Sequence, residues 1–562
     1  MQNQKILRIA PVNTLLQDKL SKELGISKIL AQILVNRGLN KVDKAQEFLS
    51  VNPKQLLDPF SFRDMPKAVD IIKRASKNKE KVMIFGDYDV DGISAIALLK
   101  QALKRIGLEA LHYIPHRIKE GYGLSKDVLR LAKQRNIKVL ITADCGISNH
   151  KEIEELRRQN IKTIITDHHE PTGSDMPPAA SIINPKLKNS GYKYRDLAGV
   201  GVAYKLCEAL SGSMLLEDLD LVSLGTIADA APLTGENRVI AKEGLLKLSR
   251  TENIGLKVLI ENAGIKDKKF NSNTVTFILG PRINASGRID TAETSLNLLM
   301  SQTQEEANNL AKIIEAHNRQ RQRIESKILE EAEDLINKEV NFKKHKIIVI
   351  AKEDWHHGVL GIVASKLANR FYRPTIVISL DRDLCKGSGR SIKNFHLFQA
   401  LLDCKEFLNT FGGHSHAAGL VIAKESIEDF KDSINRLACE RLSLEDLIPS
   451  LDIDIELGLS DLNEEVISEL EMLEPIGAGN PEALFYTRNL KLKGEAQTLG
   501  RETLKFWASD GIRCYQAIGF GMSSLKNNLH NAKCFDLVYT PRIDNWQGFD
   551  TVLLEIRDIF FR

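Results

Sequence analysis

At 562 residues the chain exceeds what one hydrophobic core supports, since single domains seldom grow far beyond about 250 residues, so three or four domains are expected. Hydrophobic residues at 43% and charged residues at 27% are ordinary globular usage and exclude wholesale disorder or a fibrous protein. A formal net charge of +4, from 78 basic and 74 acidic side chains, is too balanced to announce a polyanion partner, so any nucleic-acid surface must be local.

The N-terminal run MQNQKILRIAPVN has no long apolar core ahead of a cleavage site. No later run approaches the roughly 18 apolar residues of a membrane span. A cytoplasmic protein with no membrane partner is expected. Seven cysteines (Cys145, Cys207, Cys385, Cys404, Cys439, Cys514 and Cys534) form no CxxC pair and read as reduced thiols.

Residues 1–50 read as a helical appendage, from the apolar pattern of LSKELGISKILAQILVNRGL, and Pro53, Pro59 and Pro66 punctuate the entry to the next unit. From Lys81, apolar strands alternate with helices: VMIF then SAIALLKQALKRIG, ALHYI then SKDVLRLAKQR, VLIT then KEIEELRRQN, then TIIT. That alternation predicts a doubly wound parallel-sheet α/β domain over 51–302. Residues 303–340 carry apolar positions amid dense charge without Gly or Pro, which predicts one long connecting helix. A second, smaller α/β unit is expected over 341–441. In 442–562, after LEPIGAGNPE, five strand-like segments suit an OB-like β-barrel that binds nucleic acid; a five-stranded sheet packed on a neighbour would read alike.

In FGDYDVDGIS, Asp87, Asp89 and Asp91 occupy every second position directly after the strand VMIF, which in extended chain puts three carboxylates on one side. A solvated acidic turn is the plainer alternative. Two further strands end alike: VLIT runs into Asp144, and TIIT runs into Asp167, His168 and His169. Ligands of open parallel sheets bind beyond the carboxyl ends of the strands, so three strand ends converge on one edge. Carboxylates with one or two imidazoles suit Mn²⁺ or Mg²⁺ better than structural zinc. Asp229, in the apolar SLGTIADAAPL, needs a partner, be it a metal, a helix end or a salt bridge.

GDYDVDG, ADCG, TDHH and TIADAAPL together resemble the four phosphoesterase motifs of the DHH superfamily. GPRINASGR, DWHHGVLGIVASKL and FGGHSHAAG resemble motifs of its RecJ single-strand exonucleases. The resemblance runs from about Lys81 through IGAGNPE, making 51–302 a DHH domain and 341–441 a DHHA1 substrate-binding domain. It implies that Asp89 and Asp144 bind one metal while Asp91, Asp144, His168 and Asp229 bind the other, with Asp144 bridging and Asp87 and His169 as neighbours that orient ligands or meet the phosphate. Phe85 departs from the pattern, standing where many superfamily members place a metal-binding His.

The other motifs read as substrate holders. Arg282 and Arg288 sit beside glycines that would let backbone approach a phosphate; Ser388, Arg390 and Ser391 form a small-residue loop suited to a terminal phosphate. His414 is expected on the nucleic-acid backbone, Arg117 on a phosphate and Tyr122 under a base, while Trp355 reads equally as core or groove. The resemblance implies a 5′-to-3′ exonuclease for single-stranded DNA, releasing 5′-mononucleotides with two Mn²⁺ or Mg²⁺ ions and serving repair and recombination with a helicase and a single-strand-binding protein. The alternatives are a phosphodiesterase of the same superfamily for short oligonucleotides or cyclic dinucleotides, and a non-catalytic single-strand-binding scaffold.

Overall fold

The computed structural model describes residues 5–171, 175–381, 383–500, 502–544 and 551–562, and divides into two units. One unit holds residues 57–231 and 243–449; the other gathers 5–56, 232–242 and 450–562.

The first unit opens with a five-stranded, all-parallel sheet in the spatial order Ala110–Tyr113, Val82–Gly86, Val139–Ala143, Lys162–Thr166, Ser181–Ile183. Every residue of Val82–Gly86 and Val139–Ala143 is buried, as expected of strands covered on both faces by helices. The chain leaves Val82–Gly86 toward one side of the sheet and next returns on its other side, which makes the carboxyl ends of these two strands the topological switch point. Gly86, Ala143 and Thr166 are register partners, so Asp87, Asp144 and Asp167 each leave the sheet at the same level.

The predicted connecting helix is Gln304–Glu339, 36 residues or about 54 Å at 1.5 Å per residue. It starts where the Thr303 side chain accepts the N–H of Glu306. It leads into a second sheet in the order Leu408–Gly413, Ala417–Ala423, Leu384–Arg390, Thr375–Leu380, Ile348–Glu353, parallel only in its last pair. Trp355, left open by the sequence, is core: it is buried and donates its indole N–H to Glu331 at 2.8 Å.

In the second unit, strands Phe485–Leu499, Thr503–Ser509, Cys514–Gly519, Thr551–Phe561 and Phe535–Asp544 close into a five-stranded barrel, because the first pairs with both the second and the last. Closure removes exposed sheet edges. The N-terminal helices do not form a core of their own. Leu20, Leu30, Ile33 and Leu34 are buried in one cluster with Phe485, Leu504, Phe506 and Leu554 of the barrel, and strand Ile6–Ile9 pairs in parallel with Ser450–Ile453. Arg238 is clamped in the same unit: its guanidinium donates to the carbonyls of Phe48, Met472, Leu473 and Pro475 and lies 3.8 Å from the Phe48 ring centroid.

All seven cysteines are free thiols. Among the described residues no helix is long and apolar enough to cross a membrane.

Candidate metal centre and substrate cavity

Asp89 begins the helix Val90–Arg105, its carboxylate accepting the N–H groups of Asp91 and Gly92 at 3.0 and 3.2 Å. Asp91, one turn-step further, is fully covered. Its two oxygens accept the N–H groups of Gly199 and Val200, at the start of the helix Gly199–Ser211, at 2.7 and 2.8 Å. A helix N-terminus favours a carboxylate, so this acid is held in place without a cationic side chain. Asp144 takes a left-handed backbone conformation (φ 61°), which Asp tolerates better than most residues. Two glycines make room for the acids. A Cβ at Gly199 would lie 2.5 Å from an Asp144 oxygen, and one at Gly225 would lie 2.9 Å from Asp91 Oδ1.

Candidate ligand atoms fall into three overlapping groups, each with its atoms within 4.8 Å of one another: Asp87, Asp89 and Asp144; Asp91, His168 and Asp229; Asp144, His168 and His169. Asp144 and His168 are each shared between two groups. Asp87 Oδ1, Asp144 Oδ1 and His168 Nε2 are buried and lack any hydrogen-bond partner among the described residues, although the latter two are 3.1 Å apart. Buried polar atoms left this way are costly unless something else binds them.

The electrostatics agree. Burial, followed by the charge of Asp89, pushes the carboxyl of Asp87 well above the usual range. Burial and the charges of Asp91 and Asp89 do the same to Asp144. Asp91 is raised to about 7 and Asp229 to about 9, each by burial first and by neighbouring carboxylates second. Burial lowers His168 to about 3, leaving a neutral imidazole with a free lone pair. Crowded acids that resist ionising beside a neutral imidazole suit divalent cations with oxygen and nitrogen ligands.

Asp167 does not face the cluster as a ligand. One of its oxygens accepts the N–H groups of His168 and His169 and His169 Nδ1; the other accepts the Ile147 N–H. Against the pull of burial, this hydrogen bond and the Asp167 charge raise His169 to about 9.

Beside the acids, and within the same unit, lies a cavity of about 860 Å³ whose wall includes Tyr88, Arg117, His357, Ser388, Arg390 and His414. Its lining also includes Tyr122, which is 48% exposed and whose hydroxyl contacts the Asp144 carbonyl at 3.2 Å and His169 Nδ1 at 3.1 Å. The His414 ring stacks toward His169 at a centroid separation of 6.3 Å.

The chain matches the DHH family, N-terminal domain, over residues 81–226, the DHHA1 domain over 344–440 and the RecJ OB domain over 453–558. The single-stranded-DNA-specific exonuclease RecJ of Bacillus subtilis (strain 168) is 38% identical over 548 residues, covering 96% of this chain and 69% of that protein. Its namesake from Escherichia coli (strain K12) is 34% identical, covering 81% of this chain and 82% of the other. The chain belongs to the RecJ family. The crystal structure of RecJ in complex with Mn²⁺ from Thermus thermophilus superposes with a TM-score of 0.85 at 26% identity, covering all of this chain and 80% of that one. The Mg²⁺ complex from the same organism gives 0.78 at 25% identity. Solved RecJ proteins thus hold the two metals that the donor set here fits.

In this RecJ-family chain Phe85 points away from any ligand role. The Phe85 ring is buried in the core, 5.9 Å from Tyr113 by centroids, and the carboxylate of Asp87 offers a candidate ligand atom within 4.8 Å of those of Asp89 and Asp144. Two expected substrate contacts are occupied elsewhere. Arg282 is paired with Glu315 at 3.0 Å and with the Ile278 carbonyl, and Ser391 donates its hydroxyl to the Phe395 carbonyl at 2.6 Å; neither lines the cavity.

Arg288 donates to the Gly358 carbonyl, and burial with three other guanidiniums, Arg117, Arg321 and Arg390, lowers it to about 9. Arg321 is paired with Glu325 at 2.5 Å, whereas Arg117, Arg288 and Arg390 have no ion pair among the described residues, and such guanidiniums suit an anion. Sequence reasoning missed Asp167 as the organiser of the His169 ring, and it missed Tyr88 and His357 on the cavity wall. The TDHH spacing hinted at the first, whereas Tyr88 is one aromatic among acids, and its partner Arg117 lies 29 positions away.

Proposed function

We propose that the chain is a metal-dependent exonuclease that enters single-stranded DNA at its 5′ end and releases 5′-mononucleotides. The observation that carries this reading is the adjacency, in one unit, of a cation-deficient cluster of buried acids and imidazoles with a cavity walled by arginines. The relatives named above, described as single-stranded-DNA-specific exonucleases, support the substrate. Two divalent cations held by Asp87, Asp89, Asp91, Asp144, His168 and Asp229 would supply the positive charge that makes water nucleophilic and steadies the scissile phosphate.

The chain's own residues do the rest. The amides of Gly199 and Val200 and the N-terminal turn at Asp89 fix the acids before substrate arrives, which favours a preorganised site. His169, turned by Asp167 and Tyr122, keeps its other ring nitrogen for the substrate. Arg117, Arg390 and Ser388 receive the terminal phosphate, whose charge exceeds that of an internal phosphodiester, and so select an end over an internal bond. Tyr122 offers a ring to the adjacent base, a contact that accepts any sequence.

The barrel is proposed to hold the strand further along, and a helicase and a single-strand-binding protein to supply unpaired DNA in the cytoplasm. The test is a single strand labelled at its 3′ end, incubated with Mn²⁺. A descending ladder is expected, and immediate release of labelled mononucleotide would overturn the polarity.

A further inference from the structure

Arg117 is the least anchored cation of the cavity. Its loop is fixed on both sides at the backbone: Glu120 accepts the His116 N–H at 2.8 Å and the hydroxyls of Tyr113 and Ser125 at 2.8 and 2.7 Å, and Lys386 donates to the Ile118 carbonyl at 3.1 Å. The guanidinium shares none of these bonds. It lies instead over the ring of Tyr88, 4.7 Å from the centroid. Arg288 and Arg390 carry like charges close enough to feel it, and each is held by a backbone carbonyl, Gly358 and Gly389 respectively. Repulsion among the three acts against the pull of the nearby Asp87 carboxylate, and the electron-rich ring face adds a directional hold on the guanidinium.

From this arrangement we infer that Tyr88 is a positioning residue: its ring holds the Arg117 guanidinium in the cavity, ready for the 5′-terminal phosphate. Tyr88 stands between Asp87 and Asp89, so the residue that aims the phosphate clamp belongs to the same turn as two metal-facing carboxylates. The ring therefore ties the clamp to the cluster at a fixed distance. What matters is the π-face, since Arg117 sits over the ring and not at its hydroxyl. The inference rests on the terminal-phosphate reading above and names the residue on which that selectivity depends.

The experiment compares turnover on the same oligonucleotide bearing a 5′-phosphate or a 5′-hydroxyl, for wild type, Arg117→Ala, Tyr88→Phe and Tyr88→Leu, and counts bound Mn²⁺ for each protein. Arg117→Ala is expected to collapse the phosphate preference. Tyr88→Phe should keep it within about twofold, and Tyr88→Leu should cut it roughly fivefold or more with Mn²⁺ content unchanged. If Arg117→Ala collapses the preference while Tyr88→Leu does not, or if Tyr88→Phe fails as Tyr88→Leu does, the Tyr88 inference alone is overturned. Loss of bound Mn²⁺ from Tyr88→Leu overturns it as well, in favour of a structural role. If Arg117→Ala leaves the preference intact, the terminal-phosphate reading is what fails, and the role of Tyr88 falls with it.

Discussion

His169 Nδ1 lies 2.8 Å from an Asp167 oxygen that also accepts the backbone N–H groups of His168 and His169. One buried carboxylate thus sets both the turn that carries the two imidazoles and the orientation of the second ring. In Asp167→Asn an amide replaces one oxygen, so either the His169 ring or the Ile147 N–H loses its acceptor. Turnover on single-stranded DNA is expected to fall about 10–100-fold, as for other residues that orient the groups around a metal. A folded Asp167→Asn protein with wild-type turnover would show that the ring needs no such support.

Asp144 belongs to two of the three ligand groups, so no neighbour can replace it. Asp144→Asn keeps the shape and the tolerance of left-handed backbone while removing the charge. Mn²⁺-dependent cleavage should drop at least about a hundredfold. In EDTA the variant should melt no lower than wild type, because a carboxylate pushed upward by burial and by Asp91 and Asp89 has been removed from the cluster. Turnover above a tenth of wild type would rule out a shared ligand.

Mn²⁺ should raise the melting temperature of the unit that holds the cluster, since a ligand at a hundred times its Kd stabilises by about 2.7 kcal/mol. The cation competes with protons that Asp91 and Asp229 retain to about pH 7 and 9. Raising the pH from 6 to 8 removes some of those protons, so the Mn²⁺-induced shift should grow with pH over that window. Calorimetry at fixed Mn²⁺ checks this, and a shift that shrinks as pH rises would contradict it.

Arg390 lines the cavity whereas Arg282 is spent on Glu315. Arg390→Ala is expected to shrink the preference for 5′-phosphorylated over 5′-hydroxyl strands about tenfold, the scale of one lost charge-assisted hydrogen bond. Arg282→Ala should leave that preference within about twofold and lower thermal stability instead. Equal effects of the two variants on the preference would put Arg282 back on the phosphate.

Leu30, on an N-terminal helix, is fully buried in the core cluster that also holds the barrel residues. Leu30→Ala should cost about 2–5 kcal/mol. Hydrogen exchange is expected to quicken in the barrel strand Phe485–Leu499 as well as in the helices. If exchange quickened in the helices alone, the two segments would not be one cooperative unit.

Most of the candidate ligand acids were legible in the sequence because their signal is local: apolar strands that run straight into acids, at alternate positions after the first strand and singly, at Asp144, after another. The long helix was legible for the same reason, as 36 residues of helical periodicity without a breaker. What stayed hidden depends on partners far along the chain. Asp91 is held by amides more than a hundred positions away, Arg282 is drawn off by Glu315, and Arg117 finds its ring at Tyr88. None of these pairings leaves a mark in spacing or composition. The N-terminal helices have an apolar face that the sequence displays, but the surface that covers it is encoded some 400 residues later.

That last separation has a consequence during synthesis. Residues 5–56 leave the ribosome well before the barrel, yet Leu20, Leu30, Ile33 and Leu34 share their core cluster with barrel residues beyond Ser450. At about 5–20 residues per second, the intervening stretch of roughly 400 residues keeps those apolar side chains waiting for about 20–80 s. Nascent chains of this protein therefore offer chaperones and proteases a greasy handle in residues 5–56 until the barrel has been made, and a message truncated before the barrel yields a product that never hides it.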